Sequence, residues 1–144
     1  EEFNLRIEFP CLDFGGHYIL AVFVLSFFQT VSAAPFRVMY HGEHAYLADS
    51  NGMTLYIYTK DSENKATCVG QCVQRWPIFY TEKVMVPAGM DPKEFSVITH
   101  PSGQKQNTFR GWPLYYWVGD KVPGDITGHG RSNVWFYVLN PMAN

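Results

Sequence analysis

The sequence predicts an all-β domain, a small sandwich or barrel made from two related β-hairpin repeats and preceded by one apolar N-terminal helix. Three observations predict it. The run Gly52-Met53-Thr54-Leu55-Tyr56-Ile57-Tyr58-Thr59-Lys60-Asp61 returns 59 positions later as Gly111-Trp112-Pro113-Leu114-Tyr115-Tyr116-Trp117-Val118-Gly119-Asp120, in a register that continues ungapped to Trp76 and Trp135. Short aromatic and β-branched runs bounded by turn residues recur from Phe36 onward. Residues 18–34 contain no charge.

The elements follow in chain order. Residues 1–17 form an N-terminal segment read as cytoplasmic, with Glu1, Glu2, Glu8 and Asp13 against Arg6. Residues 18–34 read either as a transmembrane anchor, at the short end of what spans a bilayer, or as a secretory leader with small residues Ser32, Ala33 and Ala34 at its end. The flanks lack the basic residues that either reading prefers; the uncleaved anchor is the expectation carried forward. Both readings export the β domain, residues 35–144, with repeat one at about 45–80 and repeat two at about 100–140. Cys11 precedes the apolar run, so no lipobox follows it.

Within the exported part, Ala45 to Ala48 and Met53 to Tyr58 read as strands joined by Asp49-Ser50-Asn51-Gly52, where Asn-Gly predicts a type I′ hairpin. Lys60 to Arg75 is too polar and too broken by glycine for a long helix. Phe95 to Thr99, Trp112 to Trp117 and Val134 to Leu139 read as further strands, with turns at Pro101-Ser102-Gly103 and Arg110-Gly111. Strand alternation sends Leu55 and Tyr56 to opposite faces and puts Tyr56 and Tyr58 on the same one. Asp61 then falls in the following turn, where a carboxylate accepts backbone N–H groups. Trp76 and Trp135 are expected at matching core positions in the two halves.

Tyr56-x-Tyr58-x-x-Asp61 and Tyr115-x-Trp117-x-x-Asp120 resemble the Tyr-x-(Phe/Trp/Tyr)-x-x-Asp signature of a family of bacterial secreted repeats and lipoproteins. Cys68-x-x-x-Cys72 followed by Trp76-Pro77, and Gly124-Asp125-x-x-Gly128-x-Gly130 before Trp135, are similar to that family's other elements. The resemblance covers about residues 45–140. It implies an exported β-rich domain with a tandem repeat, and no particular activity.

Net charge is −2 and no Lys/Arg cluster appears, which speaks against nucleic-acid binding. In an oxidising compartment Cys68 and Cys72 are expected to form a structural disulfide; a redox pair of thioredoxin type would need a two-residue spacer, and c-type haem a Cys-x-x-Cys-His. Met39, His41 and His44, with Glu43, form the one local set of soft and imidazole donors and would suit copper, against the plainer reading of exposed polar residues. Of the exported domain's other histidines, His100 and His129, the latter lies in a Gly-rich loop. Asp49, Asp120 and Asp125 are better read as turn caps than as calcium ligands, since EF-hand spacing is missing. No nucleophile elbow, zincin helix or phosphate loop occurs, so no catalytic residue is assigned. Nine Tyr, four Trp and eleven Phe exceed what a core of this size uses, favouring a protein partner or a saccharide at the surface.

The expected function is that of a non-enzymatic accessory subunit. It would be anchored in the bacterial inner membrane through lipid contact by residues 18–34, with its C-terminal domain in the periplasm. Its partners would be other subunits of a membrane complex, with respiratory or photosynthetic electron transfer as the setting. The alternative is a soluble periplasmic copper or redox carrier, released by cleavage near Ala33 or Ala34, that uses Met39, His41 and His44.

Overall fold

The computed structural model describes residues 34–142; the N-terminal segment and all but the last residue of the expected anchor or leader lie outside the described residues. The described residues are mostly strands in three small antiparallel sheets. β1 (Phe36–His41) pairs with β2 (His44–Asp49), and β3 (Tyr56–Tyr58) pairs with β7 (Trp135–Tyr137). β4 (Phe95–Thr99), β5 (Lys105–Phe109) and β6 (Trp112–Pro113) form the third sheet. The helix α1 (Gln71–Arg75) has five residues, and two 3₁₀ turns, Pro92–Glu94 and Arg131–Asn133, complete the elements among the described residues. Among the described residues no helix is long and apolar enough to cross a membrane.

The sheets do not close into a barrel, which corrects that half of the fold expectation. Pro77 and Pro113 stand within the paired segments and lack the N–H that a continuous ladder needs. Between the sheets pairing is reduced to single bridges such as Tyr56↔Tyr115 and Ile78↔Tyr115.

The repeat is larger than the sequence phrase. The β1–β2 hairpin corresponds to the β4–β5 hairpin, with Phe36 and Phe95 opening each; their rings meet at 4.2 Å. The two repeats also exchange strands. Val138 of the second repeat accepts a bond from Leu47 N–H (3.1 Å) and donates one to Leu55 O (3.2 Å). Phe79 of the first does the same in the second, accepting from Asn107 N–H (3.0 Å) and donating to Leu114 O (3.0 Å). Each repeat's final segment thus bonds to both the other's hairpin and its middle strand. At the centre Tyr56 and Tyr115 exchange backbone bonds of 2.8 and 2.9 Å, the pattern of a local two-fold axis.

The alternation of the middle segments builds two cores. Leu55 and Leu114 enter one with Phe36, Leu47, Phe79, Phe95, Phe109 and Val138. Tyr56 and Tyr115 enter the other with Cys68, Trp76, Trp135 and Tyr137, and Tyr58 and Trp117 pack against it. Burying a large aromatic side chain is worth roughly 1.5–3 kcal/mol, so these two clusters dominate the stability.

The type I′ expectation at Asn51-Gly52 is overturned. Only Gly52 is left-handed (φ 83), because the Asp49 carboxylate takes the N–H groups of Asn51 and Met53 at 2.9 Å and holds a turn that ends on the glycine. The type I′ signature falls instead at Arg110-Gly111, whose φ values of 49 and 81 join Phe109 to its partner Trp112.

Candidate functional site

The first tyrosine of each repeat's motif is paired with the motif aspartate of the other repeat. The Tyr56 hydroxyl donates to Asp120 Oδ2 at 2.7 Å, and the Tyr115 hydroxyl donates to Asp61 Oδ2 at 2.8 Å. The remaining carboxylate oxygen, Oδ1, caps a loop in both cases. Asp61 receives the Thr67 N–H (2.7 Å) and hydroxyl (2.8 Å); Asp120 receives the Thr127 N–H (2.9 Å) and hydroxyl (2.6 Å). Thr67 lies six residues past its aspartate and Thr127 seven past its own. The ungapped register therefore slips by one in this loop and recovers by the tryptophans. A second donor reaches each hydroxyl: Gly128 N–H to Tyr56 at 3.1 Å, and the Cys68 backbone to Tyr115.

Burial, reinforced by the facing Asp120 or Asp61, pushes the Tyr56 and Tyr115 phenols well above the ordinary tyrosine range. Tyr116 behaves likewise through burial and its 2.8 Å bond to Asp49. These hydroxyls stay protonated and act as donors.

Beside these pairs the second pair of motif aromatics forms a column. Tyr58 stacks on Trp135 (4.3 Å between centroids, 17° between planes), Trp135 on Trp76 (3.8 Å, 4°), and Trp76 meets Trp117 at 4.3 Å. The local two-fold relates Tyr58 to Trp117 and Trp76 to Trp135, so the column crosses the boundary between repeats. Arg131 caps it, its guanidinium 4.4 Å from the Trp117 ring. The larger indole at this end requires Gly119, where a Cβ would collide with it. Its Nε1–H is buried without a hydrogen-bond partner among the described residues.

A cleft of about 410 Å³ opens along the column, lined by all four rings together with Cys72, Val134, Ser132, Lys60, Arg75 and Arg131. A second cavity of about 540 Å³ lies at Val73, Pro77, Ile78, Tyr80, Gln104 and Lys105.

The Cys68–Cys72 disulfide is present and ties α1 to the loop after Asp61. His100, fully buried, braces it from the second repeat. Its Nδ1 accepts the Ser102 N–H (3.0 Å), so Nε2 carries the proton and donates to Cys68 O (2.8 Å). The sequence offered no sign of that contact across 32 residues. Asp125 accepts the N–H groups of Lys121 and Val122, which hold its carboxyl below the usual range.

His41 and His44 are cross-strand partners flanking the turn of the β1–β2 hairpin, both exposed, while Met39 is half-buried opposite Tyr46. Burial, and next the charge of His41, hold His129 below the ordinary imidazole range. Among the described residues no group of three or more His, Cys, Asp or Glu side chains is arranged around a metal ion.

The sequence model of a family described as a secreted repeat of unknown function matches residues 45–79 and 96–139, more than half of the chain. The two matched stretches are the two strand-exchanged halves. Neither curated proteins nor solved structures returned a match.

Proposed function

We propose, from the premise that this chain belongs to the secreted-repeat family, that it is a non-enzymatic accessory module of the bacterial cell envelope. In this reading residues 18–34 hold it in the inner membrane, and its β domain engages other subunits of a membrane complex, with electron transfer as the setting. One observation carries the proposal: the motif's acid and phenol groups are committed to each other. Both oxygens of Asp61 and of Asp120 are engaged in internal hydrogen bonds, a use that builds a rigid scaffold and leaves these groups no lone role as base or nucleophile. Exposed Tyr40, Val97, Val122 and Leu139 offer apolar surface of the kind a protein partner covers.

The test is mild-detergent extraction of membranes followed by native electrophoresis and mass spectrometry. A defined complex containing the chain supports the reading, and recovery only as a monomer overturns it.

The copper-carrier reading rests on one observation, the His41↔His44 cross-strand pairing, which brings two imidazoles to one hairpin end. Titration with Cu(II) that leaves the His41 and His44 resonances unchanged removes it. Mass spectrometry of the mature N-terminus distinguishes the anchored form from one cleaved near Ala33 or Ala34.

A further inference from the structure

The cleft over the aromatic column concentrates positive charge in a protein whose net charge is −2. Lys60, Arg75 and Arg131 all line it, and no carboxylate does. Among the described residues the one ion pair within 4 Å joins Arg110 to Glu94, so none of the three cleft cations is neutralised by a described acid at that range.

The three cations are not part of the repeat. Lys60 corresponds to Gly119, Arg75 to Val134 and Arg131 to Cys72 in the 59-residue register. Two come from the first repeat and one from the second, and they converge where the halves meet. Symmetry of the scaffold does not demand them, and three like charges lining one cleft bring mutual repulsion. An anion in the cleft would relieve it. Arg131, its guanidinium laid on Trp117 and its Nε–H bonded to Thr127 O at 2.9 Å, is held in position for that role.

We infer that this cleft binds an acidic sugar unit, a hexose-sized ring carrying a carboxylate or a phosphate. A volume of about 410 Å³ lies in the range of small-molecule sites and suits one such ring. Arg131 and Arg75 would take the anion by charge-assisted hydrogen bonds. Lys60 and the Ser132 hydroxyl are placed for ring hydroxyls, and half-exposed Tyr58 offers aromatic surface to the C–H face. The assignment does not rest on the accessory-module reading, because the isolated chain is sufficient to test it.

The column supplies its own reporter. The full chain in non-ionic detergent is titrated at constant ionic strength, following tryptophan fluorescence, with glucuronate, glucose 6-phosphate and neutral glucose. The expected result is a saturable change with either acidic sugar and none with glucose. Arg131→Gln weakens binding about tenfold, as loss of one charge-assisted bond does. Lys60→Gln, at an exposed position, weakens it severalfold while the circular dichroism spectrum stays unchanged, so a folding defect in the Arg131 variant leaves the test intact. A flat titration with both acidic sugars, an equal response to glucose, or wild-type affinity in Lys60→Gln and a folded Arg131→Gln overturns the inference. So does binding to anionic phospholipid vesicles without response to either sugar, which would assign the charge to a lipid headgroup.

Discussion

The two halves of this domain have one backbone plan and hold their equivalent loops by different chemistry. In the first half the loop after Asp61 is closed by the Cys68–Cys72 disulfide and braced by His100. In the second the loop after Asp120 is a glycine-rich run with no covalent tie, secured by Asp125 on the N–H groups of Lys121 and Val122 and by Thr127 on Asp120. The shared part is what crosses between halves: the exchanged strands, the Tyr–Asp pairs and the tryptophan stack. What diverges lies in the loops, along the cleft and in the buried face of the second hairpin strand. The comparison teaches that the motif residues specify how the halves lock together, and that individuality was added around the lock.

The largest expected effect tests the lock itself. Asp120→Ala removes the acceptor of Tyr56 and of Thr127 and leaves the buried Tyr56 hydroxyl without its acceptor, a loss of about 4 kcal/mol in chemical denaturation. Asp61→Ala is expected to cost about 1 kcal/mol less, because the disulfide still restrains its loop. Equal costs would break the comparison, and a Cys68→Ser/Cys72→Ser background should abolish the difference. That background alone is expected to lose about 2 kcal/mol from its small closed loop, read as a lower midpoint in urea.

Next comes the asymmetric end of the column. Gly119→Ala drives a methyl into the Trp117 indole and is expected to lose about 2 kcal/mol. Lys60→Ala at the equivalent exposed position should fall within about 0.5 kcal/mol of wild type. Similar effects at both positions would show that the column is symmetric in solution.

A smaller effect has the opposite sign. The second half buries Gln106, Asn107 and Thr108 where the first buries Tyr46, Leu47 and Ala48, and the Thr108 hydroxyl has no hydrogen-bond partner among the described residues. Thr108→Val keeps the volume, removes the unpaired hydroxyl and should gain about 1 kcal/mol by thermal melting. The smallest effect concerns His129. Folding lowers its pKa, so the unfolded chain binds the proton more tightly, and stability declines as pH falls through the ordinary imidazole range near 6.5. By NMR titration His41→Ala should raise the His129 pKa part of the way back, since burial remains the larger cause.

Much of the scaffold was legible because strand chemistry is local. Alternation placed Leu55 and Leu114 in one core and Tyr56 and Tyr115 in the other; the boundaries of Phe95–Thr99 and the absence of a long helix between Lys60 and Arg75 also follow from neighbouring residues. The Asn51-Gly52 turn misled because a side chain two residues earlier, Asp49, competes for the same N–H groups. The Lys60, Arg75 and Arg131 cluster was invisible because its members are scattered along the chain. Nothing in a linear scan for basic runs detects charges that only folding assembles.

Spacings of a few residues already fix that there are two copies of one strand-and-turn unit, which face each residue of that unit takes, and that each aspartate caps the loop that follows it. Tertiary structure alone decided that Tyr56 answers to Asp120 and Tyr115 to Asp61, across 64 and 54 residues. Either aspartate is chemically suited to either tyrosine. The exchange of final strands brings the other repeat's aspartate to each phenol, and that exchange is settled by burying two cores at once, a condition no local segment contains.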